Sequence, residues 1–231
     1  MTKSKRRPAG LGARTGPSTS CKCLRRLAPL LLVSALAGCS SLLHSDAPPV
    51  QVYTLRAASA SPGGGADPAA TVDASLRVAH PIAGPGLGTS QIVLLQPDHR
   101  LNVYAASAWA ADAPALIESL AAETLRGSRH WRSVEDAESP FPSDYLLQIT
   151  IRRFDADYSG GTDAAPTVQV TLDCTLGKED ARNIVATFEA SGSAVASANR
   201  LSEVVAAFQQ ATDAAMASLS QQASAAMQPA R

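Results

Sequence analysis

TVQVTLDCTL, at residues 167–176, is the stretch that decides the fold. Every second residue from Val168 to Leu176 is apolar, and the residues between them are Thr, Gln or Asp. A period of two predicts a β-strand with one face in a core and the other toward solvent. The alternation places Cys174 on the core face, where a free cysteine is expected to behave as a small, inert hydrophobe. The alternative for Cys174 is a reactive or partner-linked thiol.

Weaker runs of the same kind lie on both sides of this stretch. Tyr145–Ile151 alternates in the same way, and Lys178–Arg182 predicts the turn of a hairpin that returns along Ile184–Glu189. β-Branched and apolar runs predict four earlier strands, at Val50–Leu55, Leu76–His80, Gln91–Leu95 and Leu101–Ala105. Residues 57–73 are rich in Ala, Ser, Pro and Gly, which predicts a flexible loop between the first two of these strands.

Two segments follow a helical period instead. In the first, Asp112 is placed as an N-cap, Pro114 falls in the first turn, and Gly127 marks the expected end. The second runs from about Asn199 to about Gln222 and has one apolar face, so it should lie across a sheet. The order of elements predicts a single α+β domain, with a mainly antiparallel β-sheet and two α-helices packed on one face.

The amino-terminal residues have the pattern of a targeting segment. Basic residues precede a short apolar run, which ends in Leu36-Ala37-Gly38-Cys39. This run is too short to cross a membrane, and small residues followed by cysteine are typical of a bacterial lipoprotein signal. We therefore expect residues 1–38 to be removed as a signal peptide and Cys39 to be acylated. The alternative is an ordinary secretory signal followed by a chance cysteine.

Processing at Cys39 would leave a tether, residues 39–49, and a folded domain, residues 50–231. The removed segment holds eight of the 20 Lys and Arg and none of the 20 Asp and Glu, so the processed chain carries a formal net charge of −8. This charge disfavours nucleic acid or an anionic membrane surface as the main electrostatic partner. Membrane attachment should come from the acyl chains. Cys174 is then the last cysteine in the domain, which excludes an intramolecular disulfide.

Groups that could carry out catalysis are few in the processed chain. The sequence contains none of the motifs typical of serine hydrolases, zinc proteases or phosphate-binding loops, so we expect no catalytic, cofactor-binding or metal-binding residues. The histidines are far apart and are expected at the surface or at strand ends: His44, His80, His99 and His130. Asp155 and Asp157 could pair two carboxylates, but a solvated strand edge is the simpler interpretation.

Two tryptophans flank the first predicted helix, Trp109 just before it and Trp131 just after it. The simplest interpretation is that both indoles cover the ends of that helix against the sheet. The alternative is that one of them contacts a partner protein or an acyl chain.

Short motifs along the chain resemble the ABC-type transport auxiliary lipoproteins, which accompany transporters with mammalian-cell-entry (MCE) type substrate-binding subunits. The similarity spans nearly the whole processed chain, and the order of the motifs carries it. In sequence order they are Val52-Tyr53-Thr54-Leu55, Leu76-Arg77-Val78, Ser90–Val93, Leu101–Tyr104, Trp109–Leu116, Asp144–Leu147, Phe154–Asp157 and Val205–Phe208.

This resemblance implies a non-catalytic periplasmic component in the movement of lipids, expected to be phospholipids, between the inner and outer membranes. ATP hydrolysis would belong to another subunit. Ser40, rather than Asp, after the acylated cysteine implies delivery to the outer membrane, with the domain facing the periplasm. The resemblance also implies MCE-type and ABC transporter subunits as partners, with Trp109 and Tyr53 as candidate contacts. Self-association, as a homo-oligomer, is a further expectation.

Two other functions fit the same sequence. The first is an assembly lipoprotein that works with an outer-membrane β-barrel. The second, less favoured, is a lipid-anchored hydrolase, which would need a polar pocket that the sequence does not reveal.

Overall fold

The computed structural model describes residues 49–58 and 72–228. In these ranges nine strands form one sheet: β1 (Gln51–Tyr53), β2 (Val72–Val78), β3 (Ile82–Ala83), β4 (Gln91–Leu95), β5 (Leu101–Trp109), β6 (Trp131–Glu135), β7 (Tyr145–Asp157), β8 (Thr167–Lys178) and β9 (Asn183–Val195). The same ranges contain two helices, α1 (Ala113–Ser128) and α2 (Leu201–Ala226). Neither helix is long and apolar enough to cross a membrane.

The sheet is built around β7. Along one edge β7 pairs antiparallel with β8, and β8 pairs antiparallel with β9. Three parallel strands, β2, β3 and β4, share the other edge of β7. β6 adds to β2 in parallel, β5 adds to β4 antiparallel, and β1 adds to β5 in parallel. The predicted α+β class is confirmed; the sheet is mixed, and its longest pairings are antiparallel.

Two strands were not predicted, β3 and β6. In β6 the buried residues are Trp131 and Val134, three positions apart, so no period of two reveals the strand. Trp131 therefore begins a strand. β2 begins at Val72, so the predicted loop over residues 57–73 ends two residues early. Its residues 59–71 lie outside the described ranges.

Local signals position α1. The carboxylate of the N-cap residue Asp112 accepts a hydrogen bond from the backbone N–H of Ala115 at 2.9 Å, and Pro114 lies in the first turn, as predicted. The helix continues past Gly127, which is therefore not its cap. Arg129 ends it instead, in the left-handed region with a φ of 54°.

Both helices pack on one face of the sheet, which we call the covered face. Residues of β7 and β8 that point to this face, such as Ile149 and Leu172, are fully buried. α2 crosses β9 so closely that a Cβ on Gly192 would lie 2.0 Å from the carbonyl oxygen of Ala211. No helix of the described ranges lies on the opposite face, which we call the open face.

Candidate partner-binding surface

The described residues contain no convergence of catalytic side chains. No group of three or more His, Cys, Asp or Glu side chains in these ranges could hold a metal ion. The Nδ1 atom of His80, an exposed side chain, lies 2.8 Å from Oε2 of Glu118. His99 lies in the turn between β4 and β5 with a φ of 65°. Both positions agree with the sequence interpretation, and His44 lies outside the described ranges.

His130 lies directly before β6, at a strand end as predicted, but it is buried and not exposed. The side chain is 3% exposed, because it lies where α1 gives way to the unpredicted strand β6. Neither ring nitrogen has a hydrogen-bond partner among the described residues. Burial lowers the pKa of His130, which favours the neutral imidazole. We assign the residue a packing role, with its ring 5.9 Å from that of Trp131.

Cys174 lies on the covered face and is buried, as predicted. Burial, together with the neighbouring Asp173 carboxylate, raises the pKa of the thiol to about 12. A thiol with this pKa is almost entirely protonated at neutral pH, and the thiolate is the reactive form. The predicted position of Cys174 on the core face is confirmed, and its reactivity stays a prediction.

Trp109 belongs to an aromatic cluster in the core. Its indole is 2% exposed and meets the ring of Phe208 edge-on, with ring centroids 5.1 Å apart. Phe154 completes the cluster, at 5.7 Å from Trp109 and 5.1 Å from Phe208. This is the packing interpretation, and it leaves Trp109 little surface for a partner. Tyr53 in β1 is half-buried, its hydroxyl donates to Gln51 at 2.6 Å, and its contact with a partner stays a prediction.

Asp155 and Asp157 do not form the solvated strand edge that the sequence predicted. They follow Arg153 along the open face of β7, which is paired on both sides at this point. Nη2 of Arg153 lies 2.8 Å from Oδ2 of Asp155 and 2.9 Å from Oδ2 of Asp157, and the Asp155 carboxylate is buried.

Hydrogen bonds and ion pairs of Arg153 hold this cluster together. The hydrogen bond to Asp155 raises the pKa of Arg153. Burial on its own would raise the pKa of Asp157, but hydrogen bonds from Arg153 and from the Ser159 backbone outweigh it and hold that pKa below the ordinary aspartate value. One guanidinium thus bridges two carboxylates by hydrogen bonds, which indicates a structural cluster.

The middle of the open face is polar. β8 contributes Thr, Gln and Asp side chains at alternate positions from Thr167 to Thr175, and Arg152 pairs across strands with Asp173 at 2.5 Å. Such side chains remain hydrated without a second layer above them, as in other antiparallel sheets with one solvated face.

The end of the open face near the β6–β7 loop, residues 136–144, differs from this polar middle because the loop carries an exposed aromatic side chain. This loop contains Pro140-Phe141-Pro142, and the side chain of Phe141 is 67% exposed. The guanidinium of Arg77 holds the loop by donating to the carbonyl oxygen of Phe141, to that of Ser139 at 2.7 Å, and to Oγ of Ser143 at 3.3 Å. Ser143 in turn donates to the carboxylate of Glu179.

A second set of contacts fixes the end of the same loop at Asp144. Its Oδ2 accepts from the backbone N–H of Ser75 at 2.7 Å, from the Ser75 hydroxyl at 2.8 Å and from Arg132 at 2.8 Å. The backbone hydrogen bond from Ser75 is the main cause that lowers the pKa of Asp144, so the carboxylate stays ionised. Phe141 is therefore displayed by a loop with a fixed backbone.

The sequence interpretation missed Phe141 as a candidate contact. The signal that could have found it is an aromatic residue between two prolines, in a segment that fits neither a helix nor a strand.

The described ranges thus form an α+β domain with one helix-covered and one open sheet face, and the open face ends in a loop with an exposed aromatic side chain. Residues 53–222 match the family described as the ABC-type transport auxiliary lipoprotein component. The chain belongs to this family, and the resemblance found in the sequence is confirmed.

Solved structures support the fold. A Xanthomonas campestris protein of known crystal structure is 24% identical, with a TM-score of 0.65 over 77% of this chain and 95% of that one. An uncharacterized protein of known crystal structure is 15% identical, with a TM-score of 0.58 over 76% of this chain and 99% of that one. These similarities concern the fold alone. The comparison with curated proteins gave no match.

Proposed function

We propose that this protein is an outer-membrane lipoprotein that acts as a non-catalytic docking component of an MCE-type ABC transport system. The system would move lipids, expected to be phospholipids, across the periplasm. The observation that carries the proposal is the family match over residues 53–222, which supplies the class of a transport auxiliary lipoprotein. The outer membrane, the MCE partner and the lipid cargo go beyond this family description.

The anchor in this proposal is the acylated thiol of Cys39, which lies outside the described residues, as do the signal peptide and nearly all of the tether. Each buried acyl CH₂ contributes about 0.8 kcal/mol, and two or more chains give stable attachment. An acidic domain can therefore be held at a bilayer without basic side chains. Ser40 supports the outer membrane as the destination.

A docking role also agrees with the charges of the domain. Asp155 and Asp157, two carboxylates on the open face, are both paired with Arg153. These contacts give the two carboxylates a structural role, which agrees with a non-catalytic component. Energy for transport would come from the ATPase subunit.

The test is purification from the native host with a carboxy-terminal tag, after mild solubilisation of the envelope. We expect ABC and MCE subunits to co-purify, the protein to sediment with outer membranes, and mass spectrometry to find an acylated amino terminus at Cys39. The matched control is Cys39→Ser, which cannot be acylated and should leave the envelope fraction.

Three results would contradict the proposal. Recovery of an outer-membrane β-barrel without transporter subunits would favour the assembly role. An unmodified amino terminus would remove the anchor. Normal phospholipid distribution in a deletion strain would argue against lipid transport.

A further inference from the structure

The end of the sheet farthest from Phe141 carries aliphatic side chains that point to solvent. On the open face a row of register partners crosses this end on β5, β4, β7, β8 and β9, and its members are Leu101, Leu95, Asp157, Thr167 and Val195. The two outer members, Leu101 and Val195, are 49% and 67% exposed. The Asp157 side chain between them is 15% exposed and pairs with Arg153 at 2.9 Å. Since neighbouring strands lie about 4.8 Å apart, the row spans roughly 19 Å.

Two further exposed valines lie on the same side of the sheet. Val103 is the next residue of β5 that points to the open face, and it is 41% exposed. Val52 in the edge strand β1 is the register partner of Ala108 in β5, and it is 65% exposed. Exposed apolar side chains grouped in this way are typical of surfaces that contact another molecule.

The strand directions place the entry of the chain into the domain at this end. β1 runs parallel to β5, so the chain enters β1 from the side on which β5 begins, at Leu101. Pro49, the first described residue, is ten residues after Cys39. An extended chain covers at most about 3.5 Å per residue, so an acylated Cys39 would hold Pro49 within about 35 Å of the bilayer. We call this end of the domain the tether end.

The loops of the tether end carry no formal net charge. They contain two aspartates and two arginines, and they span residues 96–100, 158–166 and 196–200. Asp98 pairs with Arg100 at 2.6 Å. Arg200 pairs with Glu203, in the first turn of α2, at 3.4 Å. The tether end therefore presents little net charge to a neighbouring surface.

The loops of the opposite end are acidic. Residues 136–144 and 179–182 together contain five Asp and Glu and one Arg, a formal charge of −4. An anionic phospholipid surface repels these loops and does not repel the loops of the tether end. Charge thus favours one orientation of the domain on such a surface, with the tether end toward the lipid.

We infer that the tether end lies against the phospholipid surface that holds the acyl chains of Cys39, with Leu101, Val103 and Val195 in contact with lipid. The inference rests on the proposed function, because it needs the lipid anchor. The contact is apolar, so an acidic domain can make it without basic side chains. Since the anchor keeps this end close to the bilayer at a high effective concentration, a few aliphatic side chains suffice to orient the domain. The Phe141 end then points into the periplasm.

The first test places the photo-crosslinking residue p-benzoylphenylalanine at position 101 or 195 of the full-length lipoprotein in the native host. The control is position 141, because Phe141 is 67% exposed, as Val195 is, and lies at the opposite end. After irradiation of envelopes, mass spectrometry should find at least about 10-fold more phospholipid adducts from positions 101 and 195 than from position 141, because the anchor holds the tether end at the lipid.

Equal yields of phospholipid adducts from positions 141 and 195 would overturn the inference, because the lipid contact would then not be specific to the tether end. Adducts from positions 101 and 195 with a protein, including a second copy of this chain, would also overturn it. Either result, with an acylated Cys39 and recovered transporter subunits, leaves the proposed function intact. Phospholipid adducts from these positions without recovery of transporter subunits would leave the lipid contact standing while the proposed docking role fails.

The second test keeps the photo-crosslinking residue at position 103 and adds Leu101→Asp with Val195→Asp. We expect phospholipid adducts to fall at least about 10-fold, because two carboxylates replace the apolar ends of the row. The matched control is Phe141→Asp with Ile184→Asp, which adds the same charge at two exposed positions of the opposite end and should leave the adducts unchanged. Both double variants should melt like the parent, since all four side chains are exposed. Unchanged adducts with Leu101→Asp and Val195→Asp, or an equal loss in the control, would overturn the lipid contact.

Discussion

The two faces of the sheet share every strand, yet they are built for different surroundings. On β8, Leu172 and Leu176 point to the covered face and are fully buried, whereas Thr171 and Thr175 point to the open face and are half-buried. The backbone register is the same for both sets, so the difference lies in what packs above them. Apolar burial stabilises the covered face, and hydrated polar side chains suffice for the open face. Departures from this division, such as Phe141 and Asp155, therefore need explanations of their own.

The largest difference in stability is expected between two phenylalanine truncations, one in the core and one at an exposed position. Phe208→Ala removes a fully buried ring that contacts Trp109 and Phe154, and should lower the free energy of unfolding by about 3–5 kcal/mol. Phe141→Ala, at an exposed ring, should change it by less than about 0.5 kcal/mol. Urea unfolding followed by circular dichroism measures both. A similar loss of unfolding free energy in the two variants would contradict the assigned difference between the buried and the exposed ring.

The next effect concerns the closest approach of α2 to the covered face. Gly192→Ala would place a Cβ 2.0 Å from the carbonyl oxygen of Ala211 and 2.8 Å from the backbone nitrogen of Ala215, so the helix must move. We expect a destabilisation of about 3 kcal/mol, at the upper end of the usual range for overpacking. The control is Gly160→Ala, where a Cβ meets nothing within 4 Å. A neutral Gly192→Ala would show that α2 lies farther from β9 than described.

A smaller effect should separate two adjacent arginines on the open face. Arg153→Met leaves the buried Asp155 carboxylate without its partner, and should cost about 1–2 kcal/mol, because Arg153 itself is about one-third exposed. Arg152→Met removes only the pair with the half-exposed Asp173, for which we expect less than about 0.5 kcal/mol. Thermal denaturation of both variants at pH 7 gives the ranking. The reverse order would rule out a buried charge cluster on this face.

The smallest effect is on the acid sensitivity of the same cluster. The pKa of Asp157 in the folded chain lies below the ordinary value of 3.8, so its ionised form is favoured by folding. The stability from this group is fully present above that ordinary pKa and is lost as the pH falls through the folded value. Asp157→Asn should therefore show a weaker loss of stability between pH 5 and acid pH than the parent. Parallel curves for the two proteins would contradict the lowered pKa.

Much of the secondary structure could be predicted because its signals are local. The alternation at residues 167–176, the N-cap at Asp112 and the long apolar stripe of α2 each depend on neighbours in the sequence. The sequence did not predict β6, because its buried residues do not alternate. The sequence also did not predict the parallel pairings of β7. The strands that pair with β7 are distant in the chain, and no local pattern specifies such pairings.

The candidate surface was harder to predict than the fold. Trp109 was a candidate contact because it is aromatic, but in the structure it is buried against Phe208. Phe141 is chemically similar and is exposed, because its loop is held away from the core by contacts with Arg77, 64 residues earlier. Composition cannot distinguish two such aromatic residues, since exposure depends on which distant elements pack around each one.

By itself the sequence determined the α+β class, the main strands, both helices and the resemblance to the auxiliary lipoproteins, because these follow from local periodicity and from ordered motifs. Only the tertiary structure decided the strand order, the burial of His130 and Asp155, and the exposure of Phe141 on the β6–β7 loop. Those features arise from contacts between residues far apart in the chain, and the free energy of such contacts depends on geometry that no short stretch encodes.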